Sequence, residues 1–305
     1  MISRYLSDDL SRPRCLGLQF NDLVALVAGV KSVVYISAGS AEDMRRLDEL
    51  CAGLKLKKLV LEERRDISGA RISDLLIGPR PADLRRAGKA YSDIMSREWG
   101  EALGYPECCV RAYLGWKRKK DRLLRIKDLI FHILDSSPKG ALFPFWMNNV
   151  PNYYSRLGLR SDHRSFVRFS ELNSGADRET IIPWHPCSYR CPESMEKGRK
   201  IYEVLERYMP ATAAFRKTFL SRPIVFSGKF SYVALDGECR REAGGFRVVH
   251  GGPAGPRAPG AGRLLRVLSA PGELKAPGRG AIYAAPGVRL PAGTRLLPFS
   301  ASAAD

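Results

Sequence analysis

The stretch LVALVAGVKSVVYIS, residues 23–37, decides how the first part of the chain folds. Its apolar, β-branched run breaks at Gly29, so it reads as a short helix or turn followed by a strand over 32–36. Ala38-Gly39-Ser40 then offers Ser40 as an N-cap. Behind it Met44, Leu47, Leu50, Cys51 and Leu54 recur at helical spacing and predict an amphipathic helix over 41–54. Strands over 58–62 and 74–77 follow, which suggests an α/β unit of two or three layers over residues 15–85. The Ala38-Gly39-Ser40 turn lacks the repeated glycines of a nucleotide fingerprint.

Working outward, residues 81–99 are helical by composition. The chain breaks at Gly104-Tyr105-Pro106 and restarts as a helix, because proline is tolerated in a first turn, where its missing N–H costs nothing. Residues 138–190 are rich in aromatics, and 192–209 read as a helix. Strands follow over 224–226, 230–235 and 246–250. The glycine- and proline-rich tract 251–280 reads as loop, with RLLRVL (263–268) and GAIYAAPGVRL (280–290) as short strands. The expected fold class is α+β. A small α/β domain over 1–86 precedes a helical domain over 87–212 that carries the cysteines, and a β-rich domain with Gly/Pro-rich loops covers 213–305.

With 305 residues, 45% hydrophobic, the chain has enough apolar material for a real core, which excludes a disordered polymer. The net charge of +18 makes polyanions attractive. The densest basic run, Lys117 to Lys127 (Lys117, Arg118, Lys119, Lys120, Arg122, Arg125, Lys127), is the candidate contact for RNA, against the plain reading of a solvated helix face. No apolar run is long enough to span a membrane, so no membrane partner is expected. The N-terminus lacks the basic start and apolar stretch of a signal peptide, and the chain reads as cytoplasmic. There is no serine nucleophile elbow, zincin helix or P-loop to support a standard hydrolase or NTPase.

The informative residues are Cys108 and Cys109 in GYPECCV and Cys187 and Cys191 in HPCSYRCPES. Each pair lies where a helix begins, and backbone N–H groups with the positive end of the helix dipole stabilise thiolates there. If the pairs meet, three chemistries compete. Zinc with four thiolates usually uses two Cys-x-x-Cys knuckles, and neither pair has that spacing. An iron–sulfur cluster of the [4Fe-4S] type accepts adjacent thiolates at different irons, whereas adjacent cysteines on one small ion would strain the backbone; this argument favours the cluster. Metal-free thiol redox chemistry is the third possibility. The leading expectation is an iron–sulfur protein, an enzyme of unknown reaction, with Glu107 and His185 as the nearest groups for proton transfer. The rival is a zinc-stabilised RNA-binding protein. Cys15, Cys51 and Cys239 stand apart, and Cys51 falls on the apolar face of its helix.

Four segments together carry a resemblance: Leu76-Ile77-Gly78-Pro79, LGYPECCVRAYL (103–114), NNVPNYYSRLG (148–158) and HPCSYRCPES (185–194). Over about residues 70–210 the chain resembles the prokaryotic family catalogued as domain of unknown function 483. The resemblance implies that the four cysteines belong to one site. It brings no activity with it.

Overall fold

The structure, a computed structural model, describes residues 20–39, 41–65, 69, 71–94, 96–118, 126–150, 180–227, 231–254, 262–277, 282–284, 288–291 and 293–302. The fold is α+β. The chain divides into two compact units. One comprises Met1–Lys119, Ile182–Cys187 and Glu196–Ala214, and the other Lys120–Ile181, Ser188–Met195 and Phe215–Asp305.

The first unit is built on a three-stranded antiparallel sheet of β1 (Val34–Ala38), β2 (Lys57–Arg65) and β3 (Arg71–Gly78), in the order β1-β3-β2. Alternation along the strands sorts side chains to two faces. Val34, Ile36, Leu75 and Ile77 pack with Leu23 of α1 (Phe20–Val27) and with Leu47, Leu50 and Cys51 of α2 (Ala41–Leu54). Val33, Tyr35 and Leu76 pack the other way, against Leu84 and Ala87 of α3 (Pro81–Ala90) and Trp99 of α4 (Arg97–Ala102). The sheet is therefore the middle of three layers, and β3, its central strand, is buried from Ser73 to Gly78. Gly78 is required where it stands, since a Cβ there would lie 2.4 Å from the Ser32 carbonyl oxygen. β2, paired on one side only, carries Lys57, Lys58, Glu62, Glu63, Arg64 and Arg65 as exposed residues, with a bulge between Val60 and Glu62. The anticipated N-cap, Ser40, lies outside the described residues.

Among the described residues one acid, Asp74, is buried in this layer. Asp74 of β3 accepts hydrogen bonds from the Ser37 hydroxyl, from Arg64 Nε at 2.9 Å and from the Tyr91 hydroxyl at 3.4 Å. Burial pushes its carboxyl up, but the Ser37, Arg64 and Tyr35 hydrogen bonds outweigh it and hold the group below the usual aspartate range.

Two further helices carry the cysteine motifs, α5 (Glu107–Arg118) and α7 (Pro192–Tyr208); α6 (Ile126–Asp135) lies between them in the chain and α8 (Pro210–Leu220) follows.

The second unit contains a seven-stranded antiparallel sheet of β5 (Ile224–Ser227), β6 (Ser231–Glu242), β7 (Gly245–Pro253), β8 (Gly272–Pro277), β9 (Tyr283–Ala284), β10 (Val288–Arg289) and β11 (Arg295–Leu297). Its order is β10-β9-β8-β7-β6-β5-β11, a meander whose last strand returns to pair with the first. A separate parallel pair joins β4 (Phe143–Pro144) to β12 (Phe299–Ser300). One face of the large sheet holds Val225, Val233, Cys239, Val248 and Leu274, covered by Leu264 and Leu268 of α9 (Gly262–Leu268). The strand expected over 263–268 is thus a helix. Six residues of leucine, valine and arginine do not distinguish the two periods, and burial of Leu264 and Leu268, four positions apart, selects the helix. Between Leu235 and Gly237 the β6–β7 register shifts, and a Cβ at Gly237 would lie 2.1 Å from the Val249 carbonyl oxygen. Among the described residues no helix is long and apolar enough to cross a membrane.

Candidate metal centre

Cys108 and Cys109 sit in the first turn of α5, where the Cys109 and Val110 amides both donate to the Pro106 carbonyl, at 2.9 and 3.0 Å. Pro106 sets that turn, as its fixed φ allows. Cys191 directly precedes α7, and its carbonyl accepts from Met195 N at 2.9 Å, so it opens that helix. Its own amide donates to Ser188 O at 3.0 Å. Cys187 lies four residues earlier, in irregular chain rather than at a helix end. The segment from Ser188 is held by Tyr189, whose amide donates to Ser137 Oγ at 2.9 Å and whose ring meets Phe143 and Phe299 at 5.1 Å each.

These placements bring all four sulfurs within 4.8 Å of one another. The adjacent sulfurs of Cys108 and Cys109 are 3.9 Å apart, and the Cys187 amide donates to the Cys109 sulfur at 3.2 Å. Cys109 and Cys191 are buried, and Cys108 and Cys187 half-buried. Four convergent thiols with an amide aimed at one sulfur are a donor set that can hold a metal ion. Cys51 and Cys239 lie instead in two separate apolar clusters, and burial pushes the Cys239 thiol up to about 12, away from thiolate chemistry. Cys15 lies outside the described residues.

The two proton-transfer candidates separate. His185 is stacked on Tyr113 with ring centroids 5.1 Å apart and lines the same cavity as Cys109. Glu107 is exposed and paired with Arg97 at 2.7 Å, at the surface end of α5. The basic run divides likewise. Lys117 and Arg118 end α5 and α6 opens at Ile126, while residues 119–125 lie outside the described ones. Of the aromatic segment, residues 151–179 lie outside them too.

Sequence reasoning missed what braces the GYP turn. Lys31 is buried, ion-paired with Asp22, with its ammonium 4.6 Å from the centre of the Tyr105 ring. Burial pulls the Lys31 pKa down, but the Asp22 carboxylate and the Tyr105 phenol outweigh it and leave the group above its ordinary value. Lys197 of α7 donates to the Gly104 carbonyl at 3.0 Å, tying the same turn to that helix. The only hint in the sequence was a single lysine inside an otherwise apolar run.

Comparison with family models, curated proteins and solved structures returns no match for this chain.

Proposed function

We propose that Cys108, Cys109, Cys187 and Cys191 bind one zinc ion in a closed tetrathiolate site that fixes the GYP turn and the 185–191 loop. The observation that carries this reading is the span of the sulfurs, all within 4.8 Å of one another. Zinc–sulfur bonds of about 2.3 Å put the corners of a tetrahedron about 3.8 Å apart. The Cys108–Cys109 separation of 3.9 Å suits one such edge. A [4Fe-4S] cluster holds its ligating sulfurs roughly 6 Å apart, because each Fe–S bond stands outside a corner of the cube. The argument that adjacent cysteines cannot share one ion therefore loses its force, and with it the preference for a cluster.

Four thiolates leave no open position, so the ion would contribute folding energy rather than act as a Lewis acid. The α5 N-terminus and the Cys187 amide offset the negative charge that two pairs of thiolates give the centre. We also propose kinship with the domain of unknown function 483 family, on the four motifs alone.

The test is metal and acid-labile sulfide analysis of protein produced anaerobically with both zinc and iron supplied. Colourless protein with one zinc per chain and no sulfide is expected. Brown protein with sulfide and broad absorption at roughly 400 nm would restore the cluster. Metal-free protein with reactive thiols would restore the redox reading.

A further inference from the structure

A cavity of about 220 Å³ adjoins the sulfurs, with Cys109 itself in its wall. Two ring pairs form part of the rest. Tyr113 and His185 stack at 5.1 Å, and Tyr105 and Trp184 meet at 6.0 Å. Trp99 closes another side. Ile94 lines it as well and is 53% exposed, so the cavity reaches solvent.

Among the described residues the lining contains no Asp, Glu, Lys or Arg. That is notable in a chain of net charge +18: a charged ligand entering the cavity would lose hydration with no Asp, Glu, Lys or Arg among the described residues to meet it. The polar groups that remain among the described residues are the Ser96 hydroxyl, the Tyr105 and Tyr113 phenols, the Trp99 and Trp184 indoles, the His185 imidazole and the Cys109 sulfur. The Ser96 hydroxyl accepts from Trp99 N at 3.1 Å, which leaves its own proton to donate. The space is also smaller than the roughly 300–1,000 Å³ of sites for drug-sized ligands. Aromatic walls favour flat π systems by offset stacking and edge-on contact.

We infer that this cavity is a binding site for a small, flat, uncharged aromatic or heteroaromatic ring that carries one polar edge. The inference rests on the zinc reading in one respect. Bound metal would hold the Cys109 wall and the loop bearing Trp184 and His185, so metal loading and ring binding should be linked.

Benzamide and benzoate test it, because they share shape and differ in charge. Each is titrated into zinc-loaded full-length protein, with saturation-transfer NMR for contact and calorimetry for affinity. Saturable benzamide binding is expected, with benzoate at least tenfold weaker. Leu114→Trp, which extends a ring from the cavity wall, should weaken benzamide at least tenfold with zinc content unchanged. Ile94→Trp, at an exposed position, provides the same readout should Leu114→Trp fail to fold by circular dichroism. Absence of saturable benzamide binding, equal affinity for the two probes, or full binding in a folded, filled variant would overturn the proposal. Protein that takes up no zinc when it is supplied yet binds benzamide saturably would uphold the cavity and sink the metal reading, so the two failures remain distinct.

Discussion

The backbone amide of Cys187 donates to the sulfur of Cys109 at 3.2 Å, linking residues 78 positions apart. Neither motif can form this contact alone. It places the second motif's main chain on the first motif's thiol, as happens where a thiolate's charge needs donors.

Replacing Cys109 by serine should therefore abolish zinc retention, read as loss of the one-per-chain stoichiometry. Cys51→Ser and Cys239→Ser, in the apolar cores, should keep the metal while lowering stability. Retention of zinc by Cys109→Ser would remove that residue from the ligand set.

Metal removal should lower the melting temperature. At free zinc about 1,000-fold above Kd the linkage is worth ~4 kcal/mol. For a chain of this size each kcal/mol shifts the midpoint by about 2 °C, so a chelator should shift it by roughly 8 °C. Scanning calorimetry with and without chelator measures this, and an unchanged midpoint would count against a structural ion.

Asp74 predicts an acid limb. Its pKa is depressed in the folded state, so its contribution is present above the unfolded value of about 3.9 and is lost as pH falls through the folded value. Urea unfolding of Asp74→Asn should be easier at pH 7, by about 1–3 kcal/mol for the partners left unmatched. Its stability should also vary less than the parent's below about pH 4. Parallel acid limbs in the two proteins would refute the assignment.

Lys31→Met should cost about 3–5 kcal/mol, because it strands the Asp22 carboxylate beside a buried site. The double variant with Asp22→Asn should recover part of that loss. Additive losses in chemical denaturation would show that the two groups act separately.

Two glycines should respond in opposite directions. Gly237→Ala places a carbon against the Val249 carbonyl oxygen and should destabilise the large sheet, whereas Gly115→Ala in α5 meets open space and should stabilise by about 0.5–1 kcal/mol. Denaturant midpoints of both variants decide this.

Much of the first unit was legible because its signals are local. The apolar run before Gly29, the period of Leu47, Leu50 and Cys51, and the proline that opens α5 each point to one element. The strand order β1-β3-β2 was not legible, since β3 inserts between two earlier strands and nothing in its sequence names its neighbours. The two cysteine motifs announced themselves by composition and placement. The closeness of the sulfurs depends on side-chain directions in a first helical turn that spacing does not express. Lys31 and Asp74 escaped for a related reason. A charged residue reads as a solvated one until its partners, here Asp22 and Ser37, are seen beside it.

The meander of the large sheet has a consequence for order of assembly. Strands β5 to β10 each pair with a neighbour in sequence, and every connection but β7–β8, which runs through α9, spans five residues or fewer, so most of the ribbon can zip forward at small entropic cost. Only β11 must travel back, to lay Arg295, Leu296 and Leu297 against Phe226, Val225 and Ile224. It works as a latch on the first strand, and its arrival converts an open ribbon, with β5 bare along one side, into a finished sheet.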